Sequence, residues 1–169
     1  MKILYTAEQV QQAVCRLAGE IERHFGTDED VTVLALLNGA LWFAADVLRA
    51  LPPNFLLETA RVSSYGDARS SSGTLQWKTP MPDVRGKRVL IVDDVLDTGF
   101  TLQQVGTALR EAGASEVRTA VLLTKLGCQT VPFAADFSAL TAPNLYLIGC
   151  GMDDAGRYRN LPYIAVVQD

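Results

Sequence analysis

Apolar positions along the chain recur with two alternating periods. Behind Thr6, the residues Val10, Val14, Leu17, Ile21 and Phe25 repeat at helical spacing. Thr6-x-x-Gln9 forms a capping box ahead of that run, and Gly26 supplies a stop behind it. Residues 31–37 predict a short strand, and Asn38-Gly39 a turn into a helix from about residue 40 to 51, ended by Pro52-Pro53. Residues 55–63 predict a second strand. The Ser- and Gly-rich stretch 64–73 is longer than a hairpin needs, so it reads either as an active-site loop or as a solvated connection. Residues 75–78 return as the second arm of that hairpin.

The run Val89-Leu90-Ile91-Val92 predicts a buried parallel strand. A helix follows with Leu102, Val105 and Leu109 on one face, and Gly113 closes it. Residues 117–123, 145–148 and 163–167 complete the set of short strands. Strands alternating with helices in this order give an α/β fold with a mainly parallel sheet flanked by helices. Ligands in such sheets bind beyond the carboxyl ends of the strands, so the turns after Leu37, Val92 and Leu123 are expected on one rim. No repeat or linker divides the chain, and residues 1–169 read as one domain.

Composition narrows the picture. With 49% apolar residues in 169, there is ample material for a core. A net charge of −4, a pI near 5.0 and no basic stripe argue against a nucleic-acid binder acting through backbone electrostatics. Cys15, Cys128 and Cys150 lack metal-site spacing and read as reduced, mostly packed thiols. The N-terminus turns polar by Thr6, which predicts no signal peptide, and the apolar stretch 40–48 is interrupted by Asp46. A soluble cytoplasmic protein with no membrane partner is expected. His24, the single histidine, falls near the end of the first helix, where a cation favours the dipole. Trp42 and Phe43 read as core or subunit-interface residues.

The chemistry concentrates in V-L-I-V-D-D-V-L-D-T-G-F-T-L, residues 89–102. A strand feeding a polar, Gly-containing turn at a helix N-terminus offers free N–H groups, a favourable dipole and two Thr hydroxyls to an anion. Asp93, Asp94 and Asp97 crowd the same place with negative charge and would repel a bare phosphate. A sugar phosphate accompanied by a divalent ion reconciles the two, since carboxylates accept from hydroxyls and bind Mg²⁺. A receiver domain would need its acidic pair near its start, and a Walker B reading fails because the chain has no G-x-x-x-x-G-K-[ST].

Four blocks carry a resemblance: L-N-G-A-L-W-F-A-A-D-V-L-R (37–49), S-S-Y-G-D…S-S-S-G (63–73), V-D-D-V-L-D-T-G-F-T (92–101) and I-G-C-G-M-D…R-Y-R-N-L-P-Y-I (148–164). From about Leu34 to Val167 the chain resembles the type I phosphoribosyltransferases. Within them it is similar to the hypoxanthine-guanine branch, of which the last block is distinctive. The resemblance implies a central sheet with a small hood formed by the chain ends. It also implies Mg²⁺-dependent transfer of 5-phosphoribosyl from phosphoribosyl pyrophosphate to N9 of hypoxanthine or guanine, giving IMP or GMP, and assembly as a homodimer or homotetramer.

Residue roles follow from the same resemblance. Asp97, Thr98, Gly99, Phe100 and Thr101 would cup the 5-phosphate, and Asp93 and Asp94 would hold the ribose diol or the Mg²⁺ shell. Asp97 would also be the general base near N7 of the purine; its bland alternative is a helix N-cap. Lys125 would donate to the 6-oxo group, against the alternative of an ordinary solvated lysine. Tyr146 would stack on the purine, against that of a strand-core tyrosine, and Leu147 would present its backbone to the purine edge. Asp153 would lie near the base and a second Mg²⁺, so the metal set reads Asp93, Asp94 and Asp153. Asn38, Gly39 and Arg159 would contact pyrophosphate, and Ser64 and Tyr65 would belong to the closing loop. The family often has a Lys or Arg where this chain has Asn38, so its loop supplies no charge of its own; a cis peptide is common in the same neighbourhood. Two alternatives stand beside the enzyme reading: a phosphoribosyl pyrophosphate-sensing regulator of the same fold, which would bring a DNA-binding extension or basic face, and a xanthine-preferring transferase.

Overall fold

The structure, a computed structural model, describes residues 1–65 and 74–167, with all their side chains except those of Ser64 and Tyr65. Most of the segment read as an active-site loop, residues 66–73, lies outside the described residues. The chain opens with strand β1 (Lys2–Tyr5) and helix α1 (Ala7–Phe25). As its capping box predicts, the Thr6 hydroxyl accepts from the Gln9 N–H at 3.3 Å and the Gln9 side chain accepts from the Thr6 N–H at 2.9 Å. Gly26 ends the helix with φ +72°. Seven residues of one face, among them Leu17 and Ile21, are buried.

Then come β2 (Val31–Leu36), α2 (Leu41–Arg49), β3 (Phe55–Ala60), β4 (Val62–Tyr65), β5 (Thr74–Trp77), β6 (Arg88–Leu96), α3 (Phe100–Glu111), β7 (Glu116–Lys125), β8 (Phe137–Ala142), β9 (Leu147–Ile148) and β10 (Ile164–Val166). Five strands form a parallel sheet in the order β3-β2-β6-β7-β8. Its residues alternate between two cores. Val33, Leu90, Val92 and Leu122 pack with α1 and α2, while Leu34, Ile91 and Val121 pack with α3. Burying such a side chain fully is worth about 1.5–3 kcal/mol, so a register slip in β2, β6 or β7 would forfeit several at once. The strand order reverses between β2 and β6, and that switch point opens the crevice where α/β sheets take ligands.

The expected hood is present. β1 pairs with β10 and β10 with β9, all antiparallel, so both chain ends meet in one small sheet. Three expectations are corrected. The strand read over 55–63 is two strands: β3 joins the parallel sheet and β4 turns away to pair with β5 as a hairpin. The strand expected at 145–148 is confined to Leu147–Ile148. β1 and β8 were not foreseen. Of the three cysteines only Cys150 is buried, where burial, helped by nearby Asp46, pushes its thiol up to about 12; Cys15 is exposed. Among the described residues no helix is long and apolar enough to cross a membrane.

At the sheet end opposite the crevice, Glu116 gathers two arginines and the His24 ring. His24 Nε2 lies 2.7 Å away, Arg118 Nε 3.0 Å and Arg88 Nε 3.1 Å. His24 therefore ties α1 to β7, a side-chain bond beyond the dipole role expected of it. Arg88 also donates to the Phe25 carbonyl at 2.8 Å and covers the Phe25 ring. Burial alone would raise the Glu116 carboxyl, but hydrogen bonds from His24, Arg118 and Arg88 outweigh it and bring it down to about 2. A depressed carboxyl stabilises the fold fully above its ordinary value of 4.5, and that stability is lost as pH falls toward 2. Urea unfolding at several pH values is expected to show wild type losing stability more steeply than Glu116→Gln over that window. Parallel losses in the two proteins would remove Glu116 from the acid response.

Candidate active site

β6 does not stop at its acidic pair, as the sequence suggested, but continues to Leu96, with Asp93 still paired to Val121 and Leu96 to Thr124. The turn beyond it, Asp97 to Gly99, leads into α3. Gly99 has φ +83° and is the N-cap, so the N-cap role considered for Asp97 is not realised. A Cβ at Gly99 would stand 3.1 Å from Phe133 and 3.3 Å from Val131, so both its conformation and its surroundings call for glycine. The first-turn N–H groups of α3 have no acceptors within the helix; that of Phe100 donates to exposed Thr98 Oγ1 at 3.3 Å, and Thr101 is half-buried.

Asp97 is thereby left to face β7. Its Oδ2 accepts from Lys125 Nζ at 2.8 Å. The Lys125 side chain is only 15% exposed, so the alternative of an ordinary solvated lysine is overturned. A residue not foreseen holds the pair in place. Gln129 Nε2 donates to the Asp97 carbonyl at 3.1 Å and to the Lys125 carbonyl at 2.8 Å. The Thr130 N–H adds a bond of 2.9 Å to the Thr98 carbonyl. No spacing signal could have found Gln129, because it acts through backbone groups of the turn after β6 and of the end of β7.

Asp94 reaches across the switch point to the loop after β2. A Cβ on Gly39 would overlap the Asp94 carboxylate, and one on Gly151 would overlap the Gly39 carbonyl. The peptide Leu37–Asn38 is cis. Arg159 donates to the Gly151 carbonyl at 2.5 Å and pairs with Asp153 at 2.7 Å, and Asp153 also accepts from the Gly156 N–H at 2.6 Å. So Asn38, Gly39, Asp94, Asp153 and Arg159, scattered in sequence, meet around one crevice.

Burial pushes the Asp93 carboxyl well above the carboxylate range, and the adjacent Asp94 charge pushes it the same way. Burial raises Asp94 too, but hydrogen bonds from Asp93 and the Val95 N–H, with the Arg159 charge, partly offset it. The pair thus holds a proton to higher pH than free carboxylates do, which relieves the crowding of negative charge near the phosphate turn. Among the described residues, no three Asp, Glu, His or Cys side chains stand together as a metal site, so Asp93, Asp94 and Asp153 do not form a ready-made cage.

A cavity of about 170 Å³ is lined by Asp94, Val95, Lys125, Tyr146, Leu147, Met152 and Asp153. Tyr146 lies outside β9 and is 55% exposed, so it is not a strand-core tyrosine. Its hydroxyl lies 3.3 Å from the Asp153 carbonyl and 3.4 Å from Asp154, which leaves the ring along the cavity mouth. A larger cleft, of about 530 Å³, lies between α1, α2 and residues 160–162. The charged side chains there, Asp46 and Arg49, pair with each other at 2.8 Å, and Asp46 also lies near the Cys150 thiol. The backbone of Ser64 and Tyr65 ends β4; their side chains and residues 66–73 lie outside what is described. A second unforeseen residue is Arg61, whose Nη2 donates to Asn38 Oδ1 at 2.6 Å.

Comparison with known proteins agrees with this geometry. Residues 1–155 match the phosphoribosyl transferase domain family. A hypoxanthine-guanine phosphoribosyltransferase of Aquifex aeolicus is 38% identical over 100% of this chain and 96% of its own length. One of Bacillus subtilis is 33% identical over 99% and 93%. A crystal structure of a hypoxanthine-guanine phosphoribosyltransferase from Bacillus anthracis superposes with a TM-score of 0.93 at 31% identity, covering 99% of both chains. The chain belongs to the phosphoribosyl transferase family, among its hypoxanthine-guanine phosphoribosyltransferases.

Proposed function

We propose that the protein transfers the 5-phosphoribosyl group of phosphoribosyl pyrophosphate to N9 of hypoxanthine or guanine, releasing pyrophosphate. The observation that carries this reading is the Asp97–Lys125 pair, which joins the phosphate turn after β6 to the cavity at the end of β7. Asp97, Thr98, Gly99, Phe100 and Thr101 hold the 5-phosphate through the α3 N-terminus. Asp93 and Asp94 accept from the ribose hydroxyls. Asn38, Gly39 and Arg159 face the pyrophosphate. The purine lies in the cavity with Tyr146 against its ring, Leu147 presenting backbone to its edge and Asp153 closing the side. Ser64 and Tyr65 are assigned to the closing loop, whose role is to keep water from the ribosyl cation.

Lys125 has only donors, so it favours a purine bearing a 6-oxo group over adenine, whose amino group donates too. When Lys125 turns to that oxygen, Asp97 is released to take the purine proton as N9 attacks, and its charge lies close to the positive ribose. Asp93 and Asp94 fit a Mg²⁺ that arrives with the substrate, since Mg²⁺ typically takes one or two carboxylates and completes its shell with phosphate oxygens and waters. Bound there, it would offset the charge growing on the leaving pyrophosphate. The reading carries with it a cytoplasmic enzyme that assembles as a homodimer or homotetramer.

Nucleotide formation with hypoxanthine, guanine, xanthine and adenine, with and without Mg²⁺, tests the reading. Turnover of 6-oxopurines that needs Mg²⁺ is the expected result, and no turnover of any base sinks it. Asp97→Asn keeps the shape but not the base, and should lower kcat by about 10²–10⁴-fold with little change in either KM. Lys125→Gln should raise the KM for hypoxanthine by about tenfold or more and narrow its advantage over adenine. Unchanged base selectivity would separate Lys125 from purine recognition.

A further inference from the structure

The rim around Asn38 contains a cation that the reading above leaves unused. β3 pairs in parallel with β2 as far as Leu36 and Ala60, so Arg61 emerges beside the loop that follows β2. The Leu37 N–H donates to the Ala60 carbonyl at 2.8 Å and ties that loop to the base of Arg61. The Arg61 backbone is held on both sides. Its N–H donates to Thr79 Oγ1 at 3.0 Å, and its carbonyl accepts from the Lys78 N–H at 2.8 Å. Only the side chain is free to reach, and its Nη2 reaches Asn38 Oδ1.

The cations at this crevice differ in what they face. Arg159 is paired with Asp153 and Lys125 with Asp97. Arg61 faces a neutral amide and, among the described residues, has no carboxylate partner. Among the described residues its charge is therefore not cancelled, and on this exposed side chain only Nη2 has an acceptor. The loop needs such a charge. Asn38 brings none, and the Asp94 carboxylate lies against Gly39, where it would repel an incoming diphosphate.

We propose that Arg61 is a diphosphate-binding residue that supplies the loop after β2 with the positive charge Asn38 lacks, while the Asn38 amide orients the guanidinium. The proposal rests on the phosphoribosyl-transfer reading above. It assigns Arg61 to binding and not to the chemical step, so its effect falls on phosphoribosyl pyrophosphate and pyrophosphate and not on the purine.

The test compares wild type with Arg61→Gln, Arg61→Lys and the double variant Arg61→Gln/Asn38→Lys. Gln retains a donor for Asn38 but no charge, which separates charge from tethering. Arg61→Gln should raise the KM for phosphoribosyl pyrophosphate and weaken inhibition by pyrophosphate by about tenfold, leaving the hypoxanthine KM within about twofold. Arg61→Lys and the double variant should recover much of the loss. Values for Arg61→Gln within about twofold of wild type, or equal rises in the KM of both substrates, would overturn the proposal. If wild type turns over no base, the transfer reading fails separately, and calorimetric titration with Mg²⁺-pyrophosphate still decides. Weaker binding by Arg61→Gln supports the role of Arg61. Equal binding, or none by either protein, overturns it.

Discussion

The parallel pairing of β2, β6 and β7 is the constraint on which the rest of the molecule depends. It brings the ends of three strands to one rim, so the loop at Asn38, the turn at Asp97 and the lysine at 125 become neighbours. Reversal of strand order between β2 and β6 then leaves a crevice between the first two of them. The hood closes this arrangement from the side. Leu147, Met152 and Ile164 are buried in the same core as α1 and α2, so the segment carrying Asp153 and Arg159 is seated by hydrophobic packing.

Charge at the site is balanced by pairing and not by exclusion of acids. Asp97 has Lys125, Asp153 has Arg159, and Asp93 with Asp94 relieve their mutual repulsion through raised proton affinity. Each pairing leaves a group ready to exchange its present partner for substrate. Lys125 can leave Asp97 for a carbonyl oxygen, and the acidic pair can exchange its proton for hydroxyls or a cation. The close approaches at Gly39 and Gly151 keep these groups within reach, because any side chain there would wedge the loops apart. The ionic network around Glu116 occupies the other end of the sheet, which separates the charges that stabilise the fold from those that face the crevice.

Much of this was legible along the chain. The capping box at Thr6, the stop at Gly26, the buried run at 89–92 and the turn at 97–99 are local features, set by hydrogen bonds and steric rules within a few residues. The split between β3 and β4 was not legible, since an extended pattern continues through Arg61 and only the available partners decide where the chain changes sheet. β1 escaped for a similar reason, being a strand only because the far end of the chain returns to pair with it.

By itself, the sequence determined the alternation of strands and helices, the apolar faces that pack them, and the residue types gathered at 93–101. Those depend on periodicity and on chemistry carried within single segments. Tertiary structure alone decided which distant residues act together: Lys125 with Asp97, Gln129 on the backbone of both, Gly39 against Asp94, and Arg61 on Asn38. Contacts between groups far apart in the chain depend on register and strand order, and these are properties of the whole sheet and not of any one stretch of it.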